Sequence, residues 1–137
     1  MMEIAQPARP LRRNVLVASH HQHDCGWYGE LDGLLAPRWV SLVQTRRRRE
    51  TVATLERGFV DLAVVASREG TEGLTTLEVI RSVRGDLPCV LVTAEATSGV
   101  LQRALALDAW SVVPAPVDSK RLADMLLSLL ALGSHGS

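Results

Sequence analysis

The chain has 137 residues, 15 Lys and Arg against 15 Asp and Glu, a hydrophobic fraction of 47% and a charged fraction of 22%. A chain this long forms one domain that buries roughly two-thirds of its unfolded surface, and this composition excludes disorder. Zero net charge gives no general electrostatic case for nucleic acid or an anionic membrane.

No apolar run nears the roughly 20 residues that span a bilayer. The opening MMEIAQPARPLRRN has no apolar centre of the signal-peptide kind. Two cysteines, Cys25 and Cys89, do not make a disulfide scaffold. The expectation is a cytoplasmic domain with reduced thiols and no membrane contact. Aromatic content is only 4%, so the core must be aliphatic. Short aliphatic runs bounded by turn residues read as strands buried on both faces, as in a parallel sheet.

In chain order, residues 1–13 hold two prolines and mixed charge and read as a flexible leader. Asn14–Ala18 is a first strand. His20–Pro37 is a weak helix, interrupted by Gly26, Gly29 and Gly33, with Leu31, Leu34 and Leu35 on one apolar side. The three glycines lack the spacing of a nucleotide loop and read as points of close helix packing. Trp39–Val43 is a second strand near an edge. Arg46–Gly58 is a helix with Val52 and Leu55 inward and Gly58 as its stop. Val60–Ala66 is the strongest strand, Ser67–Gly73 a loop, and Leu74–Arg84 a helix with Leu77, Ile80 and Val83 on one side. Gly85-Asp-Leu-Pro88 breaks it. Cys89–Thr93 is strand four, Ser98–Leu107 a helix, and Ser111–Val113 a short fifth strand. Asp118 or Ser119 caps a last helix with Leu122, Met125, Leu126, Leu129 and Leu130 at helical spacing. Residues 14–132 form the domain and 133–137 a polar tail.

Alternating strands and helices predict an α/β fold, a doubly wound five-stranded parallel sheet of the flavodoxin-like class. Sites in such sheets lie beyond the carboxyl ends of the strands, where strand order reverses. Function should therefore sit after Ala18, Ala66, Thr93 and Pro114.

Three segments carry a family likeness. The run GLTTLEVIRSVRGDLPCVLVTA (73–94), the strand Val60-Asp-Leu-Ala-Val-Val, and Val112-Val-Pro-Ala-Pro116 have the spacing of the receiver domain of bacterial response regulators. Over Asn14 to about Leu130 the chain resembles that CheY-like family. The resemblance implies two-component phosphorelay signalling. It also implies an acidic pair after strand one for Mg²⁺, an Asp ending strand three as phosphoacceptor, a Thr or Ser ending strand four, and a Lys ending strand five. Phosphoryl transfer needs that set: a carboxylate nucleophile, a metal to neutralise charge and a cation to stabilise the product. Carried onto this sequence, the acidic pair falls on Ser19 and His20, the acceptor on Ala66, the lysine on Ala115 and the aromatic switch of strand five on Val112. Only Thr93 and Pro116 persist. An alanine cannot form an acyl phosphate.

The expectation is thus a degenerate pseudo-receiver without enzymatic activity, metal or cofactor. It acts as a phosphorylation-independent protein-interaction module in signalling or transcriptional regulation. Two alternatives stay open. A one-residue shift puts Ser67 at the acceptor position, with Glu72 in the acidic place of the following turn. A flavodoxin-like site for a small ligand or metal could instead use His20, His21, His23, Asp24 and Cys25, whose spacing matches no standard zinc motif. Arg46–Arg49 is the one charge run, read as a solvated helix start although cations there oppose the helix dipole. Trp27, Tyr28 and Trp39 could form a contact surface. Apolar residues beyond one stripe of the last helix, Leu127, Ala131 and Leu132, together with Trp110, predict an interaction surface for a homodimer or protein partner.

Overall fold

The structure is a computed structural model that describes residues 12–21 and 25–136. Its elements are β1 (Arg13–Ser19), α1 (Tyr28–Leu35), a 3-10 turn (Ala36–Arg38), β2 (Val40–Thr45), α2 (Arg48–Glu56), β3 (Leu62–Ser67), α3 (Gly70–Val83), β4 (Cys89–Thr93), α4 (Ser98–Ala106), β5 (Ser111–Pro114) and α5 (Ser119–Gly136). The five strands are parallel in the order β2-β1-β3-β4-β5. This is the flavodoxin-like, CheY-like fold that the run of elements predicts.

Strand alternation decides which side chain enters which core. Val15, Val17, Leu62, Val64, Val90 and Val92 point to a layer closed by Leu31 and Leu35 of α1 and Leu122 and Leu126 of α5. Leu16, Ala63, Val65, Cys89 and Leu91 point to the layer of α2, α3 and α4, with Leu55, Leu74, Leu77, Ile80 and Ala104. The fully buried side chains of both layers are aliphatic, and Trp27 and Tyr28 pack partly buried against the α1/α5 layer. Phe59, Trp39 and Trp110 all stand exposed.

Several local expectations are corrected. The loop proposed after β3 is shorter, because α3 starts at Gly70 rather than Leu74. Helix α2 starts at Arg48, where Glu50 Oε1 accepts from the N–H groups of Arg46 and Arg47 at 2.9 and 3.1 Å. Trp39 does not begin β2. It adopts a left-handed φ of 63° after the 3-10 turn and lies in solvent. Leu34 is exposed, so Leu31 and Leu35 alone carry the inward side of α1. Gly26, Gly29 and Gly33 are not packing points: a Cβ at any of them meets nothing within 4 Å. Helix α5 continues through the expected tail to Gly136. Gly58 does act as the stop of α2, with a φ of 81° that favours glycine.

Among the described residues no helix is long and apolar enough to cross a membrane.

Candidate functional site

Order reverses between β1 and β3, so the carboxyl ends of these strands open toward a shared edge. Register places Ser19 beside Ala66 and Ser67 beside Thr93. The structure therefore gathers Ser19, Ala66, Ser67 and Thr93, and Ala115 joins them by donating its N–H to the Thr93 carbonyl at 2.9 Å.

Each polar group at this edge is engaged locally. Ser19 is buried and its hydroxyl donates to the His21 carbonyl at 2.7 Å. His20 Nε2 and the Thr76 hydroxyl lie 3.0 Å apart, within hydrogen-bond distance, and the same hydroxyl is 3.2 Å from the Glu72 carbonyl. Ser67 shares its one hydroxyl proton between the Glu69 carbonyl at 2.7 Å and Glu72 Oε1 at 3.1 Å. The other Glu72 oxygen lies 3.6 Å from His21 Nε2. Thr93 is fully buried, donates to the Arg68 carbonyl at 3.1 Å and accepts from the Glu95 N–H at 3.1 Å. It ties the β3–α3 loop to β4.

Ala66 and Ser67 are adjacent but differently placed. The Ala66 methyl is packed in the α1/α5 core, whereas Ser67 lines a cavity of about 450 Å³ at the carboxyl edge. That cavity lies between the start of α1 (Trp27, Glu30), the ends of β4 and β5 (Val92, Ala115) and the start of α5 (Ser119), with Arg68 at its side. Sequence reasoning did not find Ser119 or Arg68 as site residues, since only the third dimension brings them beside Trp27. Asp61 is at the opposite edge, where its carboxylate accepts from the Asn14 N–H at 2.8 Å.

The histidine cluster does not assemble. His20 reaches α3, while Cys25 is buried in the α1/α5 core and accepts from Gln44 Nε2 at 2.9 Å. His23 and Asp24 lie outside the described residues. No group of three or more His, Cys, Asp or Glu is placed to hold a metal among the described residues. Arg46–Arg49 are exposed at the start of α2. Glu50 beneath them has its carboxyl held below the usual range by the backbone N–H groups it accepts.

The predicted interaction residues fall in different places. Trp110 and Leu132 are exposed, 54% and 60%. Leu127 packs partly buried against the α1/α5 core. Leu127 and Leu132 stand about 140° apart around the helix, so they do not share a stripe. Met125 does share one with Leu132. It lines a groove of about 520 Å³ along β5 with Val112, Val113, Val117 and Arg121.

A five-stranded parallel sheet with this order defines the CheY-like fold class, and solved structures agree. The response regulator receiver domain from Methanospirillum hungatei JF-1 superposes with a TM-score of 0.74 at 16% identity, covering 92% of this chain and 99% of that one. A response regulator from Thermotoga maritima gives 0.75 at 17%, covering 88% and 99%. A protein from Burkholderia pseudomallei, provisionally described as pilus assembly-related, gives 0.68 at 24%, covering 93% and 96%. No family model and no curated protein matches the chain.

Proposed function

We propose that this chain is a pseudo-receiver, a receiver fold that has left phosphorylation behind and works as a protein-interaction module in signal transduction or transcriptional control. One observation carries the reading: the end of β3 offers no group able to serve as the acceptor carboxylate. Ala66 presents a methyl buried in the core, and the Ser67 hydroxyl proton is held by Glu69 and Glu72. Acyl-phosphate formation needs a carboxylate oxygen to attack phosphorus, with a metal and a cation to balance charge. Ser19, His20 and Ala115 supply none of these.

Communication must then pass through a surface. The groove along β5 and the exposed Trp110 and Leu132 support a homodimer or a docked protein there. Occurrence of the fold in a protein described as pilus assembly-related supports a partner range wider than sensor kinases. Neither Cys25 nor Cys89 forms a disulfide and both are buried, which supports a reducing, cytoplasmic setting.

The test is incubation with acetyl phosphate and Mg²⁺ followed by intact mass. The expected result is an unchanged mass. A stoichiometric phosphoryl adduct would overturn the reading, and an adduct mapped to Ser67 would establish the alternative of a serine-phosphorylated receiver.

A further inference from the structure

The outer edge of β2 is equipped to take a further strand. Register pairs Arg13 with Val40, and the Arg13 N–H donates to the Trp39 carbonyl at 2.9 Å. In a parallel ladder that bond turns the N–H and C=O groups of Ser41 and Val43 toward β1 as well. Those of Val40, Leu42 and Gln44 therefore point outward, and no hydrogen bond reaches them among the described residues. Sheet edges are ordinarily guarded by charges, prolines, bulges or short length. None of these guards β2, whose six residues, Val-Ser-Leu-Val-Gln-Thr, run in unbroken register with β1.

The side chains along this edge say what kind of strand fits. From residue 36 to residue 49 the chain holds five arginines and no carboxylate. Arg38 stands exposed before β2, and Arg46–Arg49 stand exposed directly after it. None of the five has a carboxylate within ion-pair distance among the described residues. Glu50 follows them in the chain, and its Oε1 is occupied by the Arg46 and Arg47 N–H groups. Arg12 adds another cation, its guanidinium 5.5 Å from the centre of the exposed Trp39 ring. Between these charges Trp39 and Val43 offer exposed apolar surface. The complement is an extended segment with an apolar centre and acidic ends. A nucleic acid would meet the arginines but has no amide ladder to offer the outward groups, which only a strand can satisfy.

We infer that the β2 edge binds an extended acidic segment of a partner protein, which joins the sheet as a sixth strand. Its backbone pairs with Val40, Leu42 and Gln44. Its apolar centre lies on Trp39 and Val43, and its carboxylates meet Arg38, Arg46 and Arg47. This is the edge opposite β5 and it uses no phosphoryl chemistry, so it stands or falls separately from the phosphodonor result.

The experiment titrates the ¹⁵N-labelled full chain with a synthetic peptide of alternating valine and threonine that carries acidic residues at both ends. A length of about nine residues, at roughly 3.3 Å each, reaches from Arg38 to Arg46. The controls are the same peptide with lysines for the acidic residues, the acidic peptide with prolines in its centre, and an oligothymidylate. The acidic peptide is expected to bind saturably with a Kd on the order of 100 μM. It should shift the amides of Val40, Leu42 and Gln44 more than those of Ser41 and Val43, because only the first three gain a bond. Each control should bind about tenfold more weakly or worse, having lost the charge match or the ladder. Combining Arg46→Gln with Arg47→Gln should weaken the acidic peptide about five- to tenfold, the value of two exposed ion pairs. Both side chains are exposed, and retained dispersion of the other amides will show that the variant is folded. The inference is overturned if the acidic peptide shifts no β2 amide, if any control binds as tightly, or if the folded double variant binds unchanged.

Discussion

Cys89 is the residue whose environment most changes its chemistry. It opens β4 fully buried, with its thiol donating to the Leu87 carbonyl at 3.4 Å. Burial pushes the thiol up from 9.0 to about 11. The native state therefore keeps a proton that the unfolded chain has already lost. The stability this confers is complete below about pH 9 and is lost as pH climbs through about 11. Tyr28 is also raised, first by burial, and adds to the same alkaline loss at higher pH. Urea unfolding from pH 7 to 11 should show stability falling above pH 9, with a shallower fall in Cys89→Ala. Equal slopes in the two proteins would remove Cys89 as the cause. The sequence told only that Cys89 begins an aliphatic strand. That Ala66 carries no side-chain nucleophile is plain from its identity, while a register one residue on points to Ser67. The difference between Ala66 in the core and Ser67 at the cavity was not legible, because one residue of register turns a side chain to the other face.

Glycines show how far elements can be read from pattern. Those of α1 were expected to mark close packing, and those of α3 to belong to a loop. The structure reverses both readings. A Cβ on Gly73 would come within 2.6 Å of Leu91 Cδ1 and 3.3 Å of the Ser67 Cβ, whereas Gly29 and Gly33 face open space. Leu91 is fully buried and can yield only by leaving its packed rotamer, at a cost of about 1–3 kcal/mol. That offsets the gain of about 1 kcal/mol for Gly→Ala in a helix. Gly73→Ala should lower the melting temperature by several degrees, while Gly29→Ala and Gly33→Ala should each raise it. A stabilised Gly73→Ala would show that α3 can move off β4. Periodicity found every strand because aliphatic runs between turn residues admit little else. The start of α3 was misplaced because a tertiary contact helps fix it. Glu95, in the loop after β4, accepts from the Gly70 N–H at 2.9 Å. Arg81 likewise ties three segments at once, donating to the carbonyls of Leu87, Leu107 and Asp108 at 2.6, 2.7 and 2.9 Å. No local pattern announces either contact.

Among the described residues the sheet has two open edges, β2 and β5. An unpaired strand edge beside apolar side chains is a ready contact for a second chain. Around β5 the exposed apolar residues are Trp110 at its start, Leu132 on α5, and Leu101 and Leu105 four residues apart on α4. Arg121 lines the same groove as Met125 and Val113, giving an apolar strip with a charge at its margin, as interfaces commonly have. A homodimer across this face predicts that Leu132→Glu shifts the protein toward monomer in sedimentation velocity, without lowering its melting temperature by more than about a degree or two, because an exposed substitution costs little in the fold. Leu127→Glu serves as the contrast. Leu127 is packed against the α1/α5 core, so a carboxylate there should destabilise the monomer by about 1–3 kcal/mol while leaving the β5 face unchanged. Association and stability would then separate: one variant folded and monomeric, the other less stable but still dimeric. A wild-type chain that stays monomeric at all concentrations, or a Leu132→Glu dimer as tight as the wild type, would move the search for the working surface to the β2 edge, where Trp39 and Val43 are exposed.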